Sequence, residues 1–599
     1  MKRREKREGW RGLRAAATLL LIGTGVAGAQ PASPPASRLF ASDAPLQLRL
    51  AGDLRALVND RDSLELTDHP FTLSYAVGDA APVSLDVEIR TRGHWRRQER
   101  HCDFPPLRLD VPRGKARETL FAGQDKLKLV TPCKPGMRDY VEYILREYLV
   151  YRYVPGPATL FTGVHKLPPG TIGVWEEGRL VARRYYEPPD GHARAPGRAG
   201  GEPVSEFLAR LDEAVRVRLV SDVPFGAFLS GGVDSSAVVA LMARHVSGPV
   251  KTFSAGFEDQ RYSELAFARL VADTFRTDHQ ELVVGPDRVL DELPGLVRFR
   301  DAPVSEPADA VVHLLAREAR RSVTVVLTGE GGDEVLGGYP KHVYERYVRA
   351  YHVVPAALRS RLIEPLVQRL PYRFRRAKTA VATLGLTDPA DRYPRWFGAL
   401  ARDEWARFVA PSFPGPREAS PSAFDVGPGN TPLRRLLAFD QASWLPDNLL
   451  ERGDRMTMAA SLEARVPFLD TGLVRFVSSL PDRYRVRGHQ TKWILRQAMA
   501  GLLPGAILRR RKVGFRVPVN EWFRRRREDL HDCLVGSHSV TRAYYRPDAL
   551  QAVLDEHLRG RQNHEKLLWT LLNLELWHRA YAAGAPRPAA CPVPERRAG

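Results

Sequence analysis

The chain has 599 residues, enough for about three to four domains of ordinary size, which excludes a single compact domain. A composition of 44% hydrophobic and 27% charged residues is typical of a globular protein and excludes a largely disordered chain. The formal net charge of +20 comes chiefly from arginine spread along the chain. Because no RRM or KH signature accompanies this charge, we interpret it as a solvated surface and predict no nucleic-acid partner.

Residues 1–30 have the pattern of a secretory signal peptide. A basic start is followed by an apolar stretch from Ala15 to Ala29, which ends in Ala-Gly-Ala before Gln30. The stretch is shorter than the about 20 residues of a spanning helix, and an uncleaved segment that associates with a membrane is the alternative. The four cysteines, Cys102, Cys133, Cys533 and Cys591, are isolated and show no metal-binding spacing. A disulfide between Cys102 and Cys133 and unpaired thiols are both compatible with the sequence.

A Pro/Ala/Ser linker precedes a region of short apolar segments separated by turns. This pattern predicts a small β-rich domain over residues 38–152, ending in a helix from Met137 to Arg152. Phrases such as FPPLRLDV and DKLKLVTPCK resemble an uncharacterised secreted bacterial domain without a complete catalytic motif. We expect a structural role for this domain.

The stretch VPFGAFLSGGVDSS, residues 223–236, predicts a phosphate-binding loop. An apolar strand over Val223–Leu229 meets a glycine turn and then an apolar helix over Val233–His245. Glycines allow close backbone approach to a ligand, and the first helical turn offers free N–H groups and the positive end of the helix dipole. The lysine of the GxxxxGK[ST] loop is absent, so this is not the P-loop of kinases and GTPases.

Further strands are predicted over Val250–Phe257, Gln280–Val284 and Val323–Leu327. They alternate with helices, one of which we expect from Ser263 to Phe275 with Ser263 as its cap, and another around Ala308–Arg320. This alternation predicts a doubly wound parallel sheet, whose ligands bind beyond the carboxyl ends of the strands.

The loop TGEGGDEVLGGY, residues 328–339, follows one of these strands directly and carries three carboxylates and five glycines. Mg²⁺ prefers one or two carboxylates together with phosphate oxygens. Asp234 and Asp333 are therefore the predicted metal ligands, on a site that binds a phosphorylated substrate.

These motifs, in order, resemble known families. SGGVDSS is similar to the pyrophosphate loop (PP-loop) of the ATP pyrophosphatases. With TFSAGF, TGEGGDE, the LPDNLL–DRMTM–LEARVPFLD block and RKVGF, it matches the asparagine synthetase family from about Tyr153 to Trp577. The resemblance implies an α/β fold with a doubly wound parallel sheet of the PP-loop/HUP-like type and a helical C-terminal half, here preceded by the β-rich N-terminal domain. Residues 153–189 resemble the end of that family's glutaminase domain, residues 203–583 its synthetase domain, and residues 584–599 form a tail predicted to be disordered.

The resemblance also implies roles for individual residues. Glu330 would support formation of a β-aspartyl-AMP intermediate and deprotonate the attacking ammonia, and Lys512 would neutralise phosphate charge. Asp447 would meet the amino group of the substrate. The ATP-binding residues would be Phe228, Leu229, Ser230, Gly231, Gly232, Asp234, Ser235, Ser236, Ala255, Thr328, Gly329 and Asp333.

The implied reaction is ATP-dependent, Mg²⁺-assisted synthesis of asparagine from aspartate, with release of AMP and pyrophosphate. Glutamine-dependent relatives begin Met-Cys, whereas this sequence begins Met1-Lys2-Arg3. We therefore expect ammonia, free or from a separate amidase acting on glutamine, as the nitrogen source. The oligomeric state stays open, with a homodimer as one alternative. Because ATP and aspartate are cytoplasmic substrates, we expect the synthetase activity in the cytoplasm. The signal-like segment conflicts with this location and favours a membrane-anchored or exported protein.

Several alternatives remain. A related amide ligase would act on another carboxylate, as in β-lactam-forming or lasso-peptide-cyclising relatives. An exported binding module would carry an inactive synthetase domain, which the intact motifs disfavour. A tRNA-modifying PP-loop enzyme would explain the basic charge but needs a nucleic-acid-binding appendage that the sequence does not show. An artefactual join near residues 149–154 would also explain the abrupt change of character there.

Overall fold

The computed structural model describes residues 48–60, 67–76, 81–91, 107–117, 119–122, 126–129, 138–161, 163–187, 202–371, 374–411, 430–510, 512, 514 and 516–581. The signal-like segment, the predicted tail and three of the four cysteines (Cys102, Cys133 and Cys591) lie outside these residues. The chain divides into two compact units, Met1–Pro135 and Gly136–Gly599.

The first unit contains a five-stranded antiparallel sheet, which confirms the predicted β-rich region. Its strands pair in chain order, and residues on β3 alternate between exposed and buried, so that Leu85, Val87 and Ile89 face a small apolar core. The strands are β1 (Leu48–Gly52), β2 (His69–Tyr75), β3 (Val83–Thr91), β4 (Leu107–Asp110) and β5 (Lys126–Leu129), and the helices are α1 (Leu54–Asn59) and α2 (Arg113–Ala116).

The second unit begins with helix α3 (Arg138–Tyr151), which the sequence analysis had assigned to the first domain. Leu145, Tyr148 and Leu149 are fully buried in the main core of the second unit. The Tyr148 hydroxyl donates a hydrogen bond to the carbonyl of Thr570, 422 residues further along the chain. The division after Pro135, rather than after Arg152, follows from this packing.

The segment after α3 joins the same core before it forms an exposed hairpin. Tyr153 is almost fully buried, and its hydroxyl lies 2.7 Å from the Ser443 hydroxyl. Strands β6 (Thr171–Glu176) and β7 (Arg179–Arg184) then pair antiparallel with most of their residues exposed.

A five-stranded, all-parallel sheet forms the centre of the second unit and confirms the predicted fold class. Its strand order is β10-β9-β8-β11-β12. The strands are β8 (Phe225–Phe228), β9 (Lys251–Phe257), β10 (Asp278–Val284), β11 (Val325–Leu327) and β12 (Glu463–Arg465). The first four lie where the sequence predicted strands; β12, three residues long, was not predicted.

The three helices predicted around this sheet are present, and one of them begins later than predicted. The helix after β8 spans exactly the predicted residues, but the one predicted to begin at Ser263 begins at Leu265. Ser263 does not cap it, because the Ser263 hydroxyl is turned towards Gly256 on β9. The helix Pro286–Arg300 was not predicted. These helices are α4 (Pro203–Val217), α5 (Val233–His245), α6 (Leu265–Phe275), α7 (Pro286–Arg300) and α8 (Pro307–Ala319).

The C-terminal half is helical, as predicted. A π-helical stretch, Asp440–Leu450, leads directly into helix α18 (Glu451–Met458) at the edge of the sheet. The helices are α9 (Gly332–Leu336), α10 (Pro340–Glu345), α11 (Val348–Val353), α12 (Ala356–Leu358), α13 (Glu364–Gln368), α14 (Arg375–Leu384), α15 (Pro389–Phe397), α16 (Trp405–Phe408), α17 (Pro432–Phe439), α18 (Glu451–Met458), α19 (Thr471–Ser479), α20 (Trp493–Ala498), α21 (Gly505–Arg509), α22 (Val519–Arg525), α23 (Arg527–Leu534), α24 (Pro547–Leu558) and α25 (Glu565–Tyr581). Within the described part of the chain, no helix combines the length and apolar character needed to cross a bilayer.

Candidate active site

A cavity of about 440 Å³ lies at the carboxyl ends of β8, β9 and β11. This is the edge at which parallel sheets of this kind bind ligands. Most of the site residues predicted from the sequence line it, namely Phe228, Leu229, Ser230, Gly232, Asp234, Ser235, Ala255, Thr328, Gly329, Glu330, Asp333 and Lys512. Gly231, Ser236 and Asp447 do not line the cavity.

The turn between β8 and α5 is held in a shape that only glycine permits. Gly231 has a φ of +66°, and a Cβ atom there would lie 2.5 Å from the carbonyl carbon of Phe267. The hydroxyls of Ser230 and Ser235 lie 3.1 Å apart across the turn, and Ser236 is fully buried beneath it. Among the described residues no side chain caps α5, so its N-terminal N–H groups remain available to an anion.

The acidic loop after β11 packs directly against this turn. A Cβ atom on Gly329 would lie 2.8 Å from the backbone nitrogen of Ser235, and one on Gly338 would overlap the Asp333 carboxylate and the Lys492 side chain. Glycine at these two positions therefore allows the carboxylates of both loops to approach one another.

Two lysines neutralise the carboxylates predicted to bind metal. Lys492 is almost fully buried and forms ion pairs with both Asp234 and Asp333, while Lys512 pairs with the other oxygen of Asp333 at 2.8 Å. Burial alone would raise the pKa of Asp333, but the two ammonium groups outweigh it and hold the pKa below its usual range. Burial would likewise lower the pKa of Lys512, whereas Asp333 and Asp234 raise it. Asp333 and Lys512 are therefore charged at neutral pH.

The same carboxylates have the donor chemistry that Mg²⁺ requires when phosphate oxygens complete its coordination. Asp234 Oδ1 is buried and accepts no hydrogen bond within the described residues, so it is available as a ligand. Those residues contain no group of three or more His, Cys, Asp or Glu arranged to hold a metal by themselves. The residues fit a metal that arrives together with a phosphorylated substrate.

Arg510, which the sequence analysis did not single out, lines the cavity and holds the phosphate turn. Its guanidinium donates to the carbonyl of Gly231 at 2.9 Å and to that of Ser230 at 3.3 Å, and it pairs with the Glu264 carboxylate. The arginine therefore provides hydrogen-bond donors to two carbonyls of the turn.

Glu330 and Arg452 form an ion pair in the cavity wall. Arg452 Nη2 donates to Glu330 Oε1 at 2.9 Å, and the other carboxylate oxygen lies close above Gly453 of α18. Burial would lower the pKa of Arg452, but Glu330 and Asp309 raise it. Arg452 also escaped the sequence analysis, because nothing in the local pattern distinguishes it from a surface ion-pair residue.

Apolar residues from three elements form the remaining wall. Phe228 ends β8 and Leu229 follows it, Ala255 lies on β9, and Val311 and Leu315 of α8 line the same cavity. This wall suits a flat, apolar group such as a nucleobase.

Asp447 lies in the π-helical stretch and has other partners. It accepts a hydrogen bond from the backbone N–H of Gly156 at 2.8 Å and forms an ion pair with Lys166 at 3.4 Å. Burial raises its pKa, which Lys166 partly offsets. Asp447 connects the 153–166 segment to the helical half of the unit.

The cavity therefore combines a phosphate turn, paired lysines and acidic residues beside an apolar wall. Residues 206–579 match the family model described as asparagine synthase. The chain belongs to the asparagine synthase family. It is 30% identical over 438 residues to "Asparagine synthetase [glutamine-hydrolyzing] 1" of Bacillus subtilis, covering 72% of this chain and 68% of that protein.

The chain is also similar, at lower identity, to a second asparagine synthetase and to a protein named as an amidase. "Asparagine synthetase [glutamine-hydrolyzing] 3" of Bacillus subtilis is 27% identical over 373 residues, covering 59% of this chain and 54% of that protein. "Amidase chry2" of Gibberella zeae is 24% identical over 443 residues, covering 67% and 65%. As a member of the asparagine synthase family, the protein is a ligase.

Proposed function

We propose that the protein is an ATP-dependent asparagine synthase that activates aspartate as β-aspartyl-AMP and transfers ammonia to it. The observation that carries this proposal is the presence in one cavity of the phosphate turn, Lys492 and Lys512 at one side and the Glu330–Arg452 pair at another. Similarity to the Bacillus subtilis asparagine synthetase supports aspartate as the acceptor.

In the first step an oxygen of the aspartate side-chain carboxylate attacks the α-phosphorus of ATP, and the bond to pyrophosphate breaks. Both reactants are anions, so the step needs positive charge at the phosphates. Lys512 and the N-terminus of α5 supply it, and Lys492 prevents Asp234 and Asp333 from repelling the nucleotide. Asp234 and Asp333 would hold Mg²⁺, whose chemistry when bound is to offset charge on the phosphate oxygens.

In the second step ammonia attacks the activated carbonyl carbon, one of its protons passes to a base, and AMP leaves. Glu330 is the proposed base. Arg452 holds one oxygen of its carboxylate at 2.9 Å and leaves the other to receive a proton. Closure of the cavity around both substrates would keep water from the acyl-adenylate.

The proposed nitrogen donor is ammonia. A glutaminase of the cysteine type needs an accessible thiolate. Within the described residues the only cysteine is Cys533, which is 2% exposed and lies in the main core. No thiol in this part of the chain can therefore serve as a glutaminase nucleophile.

A second candidate function is amide formation on another carboxylate. The similarity to an amidase of Gibberella zeae favours it, because that relative carries a name other than asparagine synthetase. The residues of the phosphate turn would act in the same way, and only the acceptor would change.

The test is release of pyrophosphate by the purified full-length chain with Mg-ATP and aspartate, in separate reactions with ammonium and with glutamine. We expect release coupled to asparagine formation with ammonium and none above background with glutamine. Equal turnover with glutamine would contradict ammonia dependence, whereas release only with a different carboxylate would favour the second candidate function.

A further inference from the structure

A second carboxylate, Glu306, lines the same cavity as Glu330 but has no part in the proposed steps. It precedes α8 in an extended backbone conformation, and its side chain makes no capping hydrogen bond to that helix. The side chain is 22% exposed, although it lies among buried residues. Its carboxylate is therefore available for a ligand in the cavity.

Arg152 fixes this carboxylate in place. Its Nη2 atom pairs with Glu306 Oε2 at 3.0 Å and also donates to the Ser305 carbonyl at 3.1 Å, while Nη1 donates to the Phe397 carbonyl at 3.3 Å. Arg152 is only 5% exposed, so this geometry is held from within the protein. Within the described residues Glu306 Oε1 accepts no hydrogen bond, which leaves it for an incoming donor.

The other cavity carboxylates already have partners on the protein. Asp234 and Asp333 pair with lysines, Glu264 with Arg510, and Glu330 with Arg452. Glu334 accepts from the Tyr339 hydroxyl at 2.6 Å, and burial raises its pKa to about 7.

The nearby Asp309 is fully buried against Arg300, and Asp447 accepts from Gly156 and Lys166 outside the cavity wall. Glu330 and Asp234 also keep one oxygen without a hydrogen bond among the described residues, but both have roles in the proposed steps. Glu306 combines a fixed position with an open oxygen and has no such role. A carboxylate of this kind suits a cationic N–H donor.

Glu306 and Glu330 share a charged neighbour, Arg452, in the cavity wall. The charges of Glu330, Asp309 and Glu306 all act on Arg452, and the Arg452 guanidinium lies 2.9 Å from Glu330. An acceptor whose side-chain carboxylate is activated beside Glu330 would therefore have Glu306 in the wall of the same cavity.

We infer that Glu306 binds the ammonium group of an α-amino acid acceptor, with Arg152 as its positioning residue. This inference rests on the proposed function and narrows the acceptor to carboxylic acids that carry an ammonium group. The cationic ligand could instead be the ammonium ion that supplies nitrogen, which has the same chemistry, and the kinetics below distinguish the two.

The experiment measures pyrophosphate release by the full-length wild type, Glu306→Gln, Glu306→Asp and Arg152→Lys. Aspartate is compared with succinate, which lacks the amino group, and the concentrations of aspartate and ammonium are varied separately. Loss of a hydrogen bond to a charged group corresponds to about 10- to 100-fold. We expect Glu306→Gln to raise the KM for aspartate by that factor, to leave the KM values for ATP and ammonium within about 2-fold, and to abolish the preference for aspartate over succinate.

Glu306→Asp keeps the charge and should retain part of the preference, and Arg152→Lys should weaken it because lysine cannot donate to all three acceptors. Glu281→Gln is the matched control, since it removes a carboxylate paired with Arg269 on the protein surface at 2.6 Å. It should change none of these constants.

Two results would overturn the inference alone: an active Glu306→Gln variant with unchanged aspartate KM and preference, or a rise confined to the KM for ammonium. A wild-type chain that releases no pyrophosphate with aspartate would instead overturn the proposed function and this inference with it.

Discussion

Replacement of Lys512 by methionine is expected to slow pyrophosphate release by about 10²- to 10³-fold while the protein remains folded. Removal of one donor that stabilises developing charge in a closed site has effects of that size. Lys512 lies 2.8 Å from Asp333, and the carboxylate raises its pKa, so the ammonium is fully charged when the anionic reactants meet. Methionine keeps a similar length and apolar body. Single-turnover measurements with Mg-ATP and aspartate would report the rate directly.

Lys115→Met provides the matched control for Lys512→Met. Lys115 pairs with Asp86 at the same 2.8 Å, but both side chains are more than half exposed, and such pairs contribute little to stability. We expect wild-type kinetics and stability for this control. A Lys512→Met enzyme that releases pyrophosphate at the wild-type rate would contradict the proposed role of Lys512.

Lys492→Met should behave differently from Lys512→Met. Lys492 pairs with both Asp234 and Asp333 in a buried position, and removal of one partner of a buried pair costs about 3–5 kcal/mol of stability. The variant should therefore unfold at clearly lower denaturant concentration, which a urea titration would show. The contrast separates the lysine that holds the site together from the one that acts on the phosphates.

Replacement of Glu330 by glutamine is expected to lower the rate of asparagine formation by about 10²- to 10⁴-fold, the range for loss of a general acid or base. Glutamine can still accept the hydrogen bond from Arg452 through its amide oxygen but cannot take a proton from ammonia. The KM for ATP should remain close to that of the wild type, because the Glu330 carboxylate pairs with Arg452 and not with a residue of the phosphate turn. Steady-state kinetics at saturating ammonium would measure both quantities.

Glu281→Gln again serves as the control for Glu330→Gln and should retain full activity. If Glu330→Gln loses activity only through a higher KM for aspartate, with an unchanged turnover number, Glu330 binds the acceptor rather than moving a proton. That result would contradict its assignment as the base.

The sequence predicted the parallel sheet and the phosphate turn because both depend on local patterns. Apolar runs of strand length lead into glycine turns, and the bounds of α5 follow directly from its apolar spacing. The alternation of strands and helices was sufficient to predict the fold class.

The charged part of the site could not be predicted in the same way, because its partners are far apart in the chain. Asp234 and Lys492 are separated by 258 residues, Glu330 and Arg452 by 122, and Arg152 and Glu306 by 154. A lysine or arginine in such a segment has the same local pattern as one on a solvated helix face. Tertiary packing alone brings these pairs together.

The position of α3 could not be predicted from the sequence either. Its apolar residues indicated a helix, but the sequence gives no sign of which core that helix joins. The hydrogen bond from Tyr148 to Thr570 and the burial of Leu145 and Leu149 place it with the parallel sheet and its helices. The change of character near residue 150 therefore lies inside one packed unit.

The most direct test of the proposed chemistry follows oxygen from aspartate to AMP. Aspartate labelled with oxygen-18 in its side-chain carboxylate would be converted with unlabelled Mg-ATP and ammonium, and the AMP analysed by mass spectrometry. Attack of the carboxylate on the α-phosphorus predicts one labelled oxygen in AMP for each asparagine formed, and none in pyrophosphate. Unlabelled AMP, or ADP with labelled phosphate, would contradict an acyl-adenylate and with it the central claim.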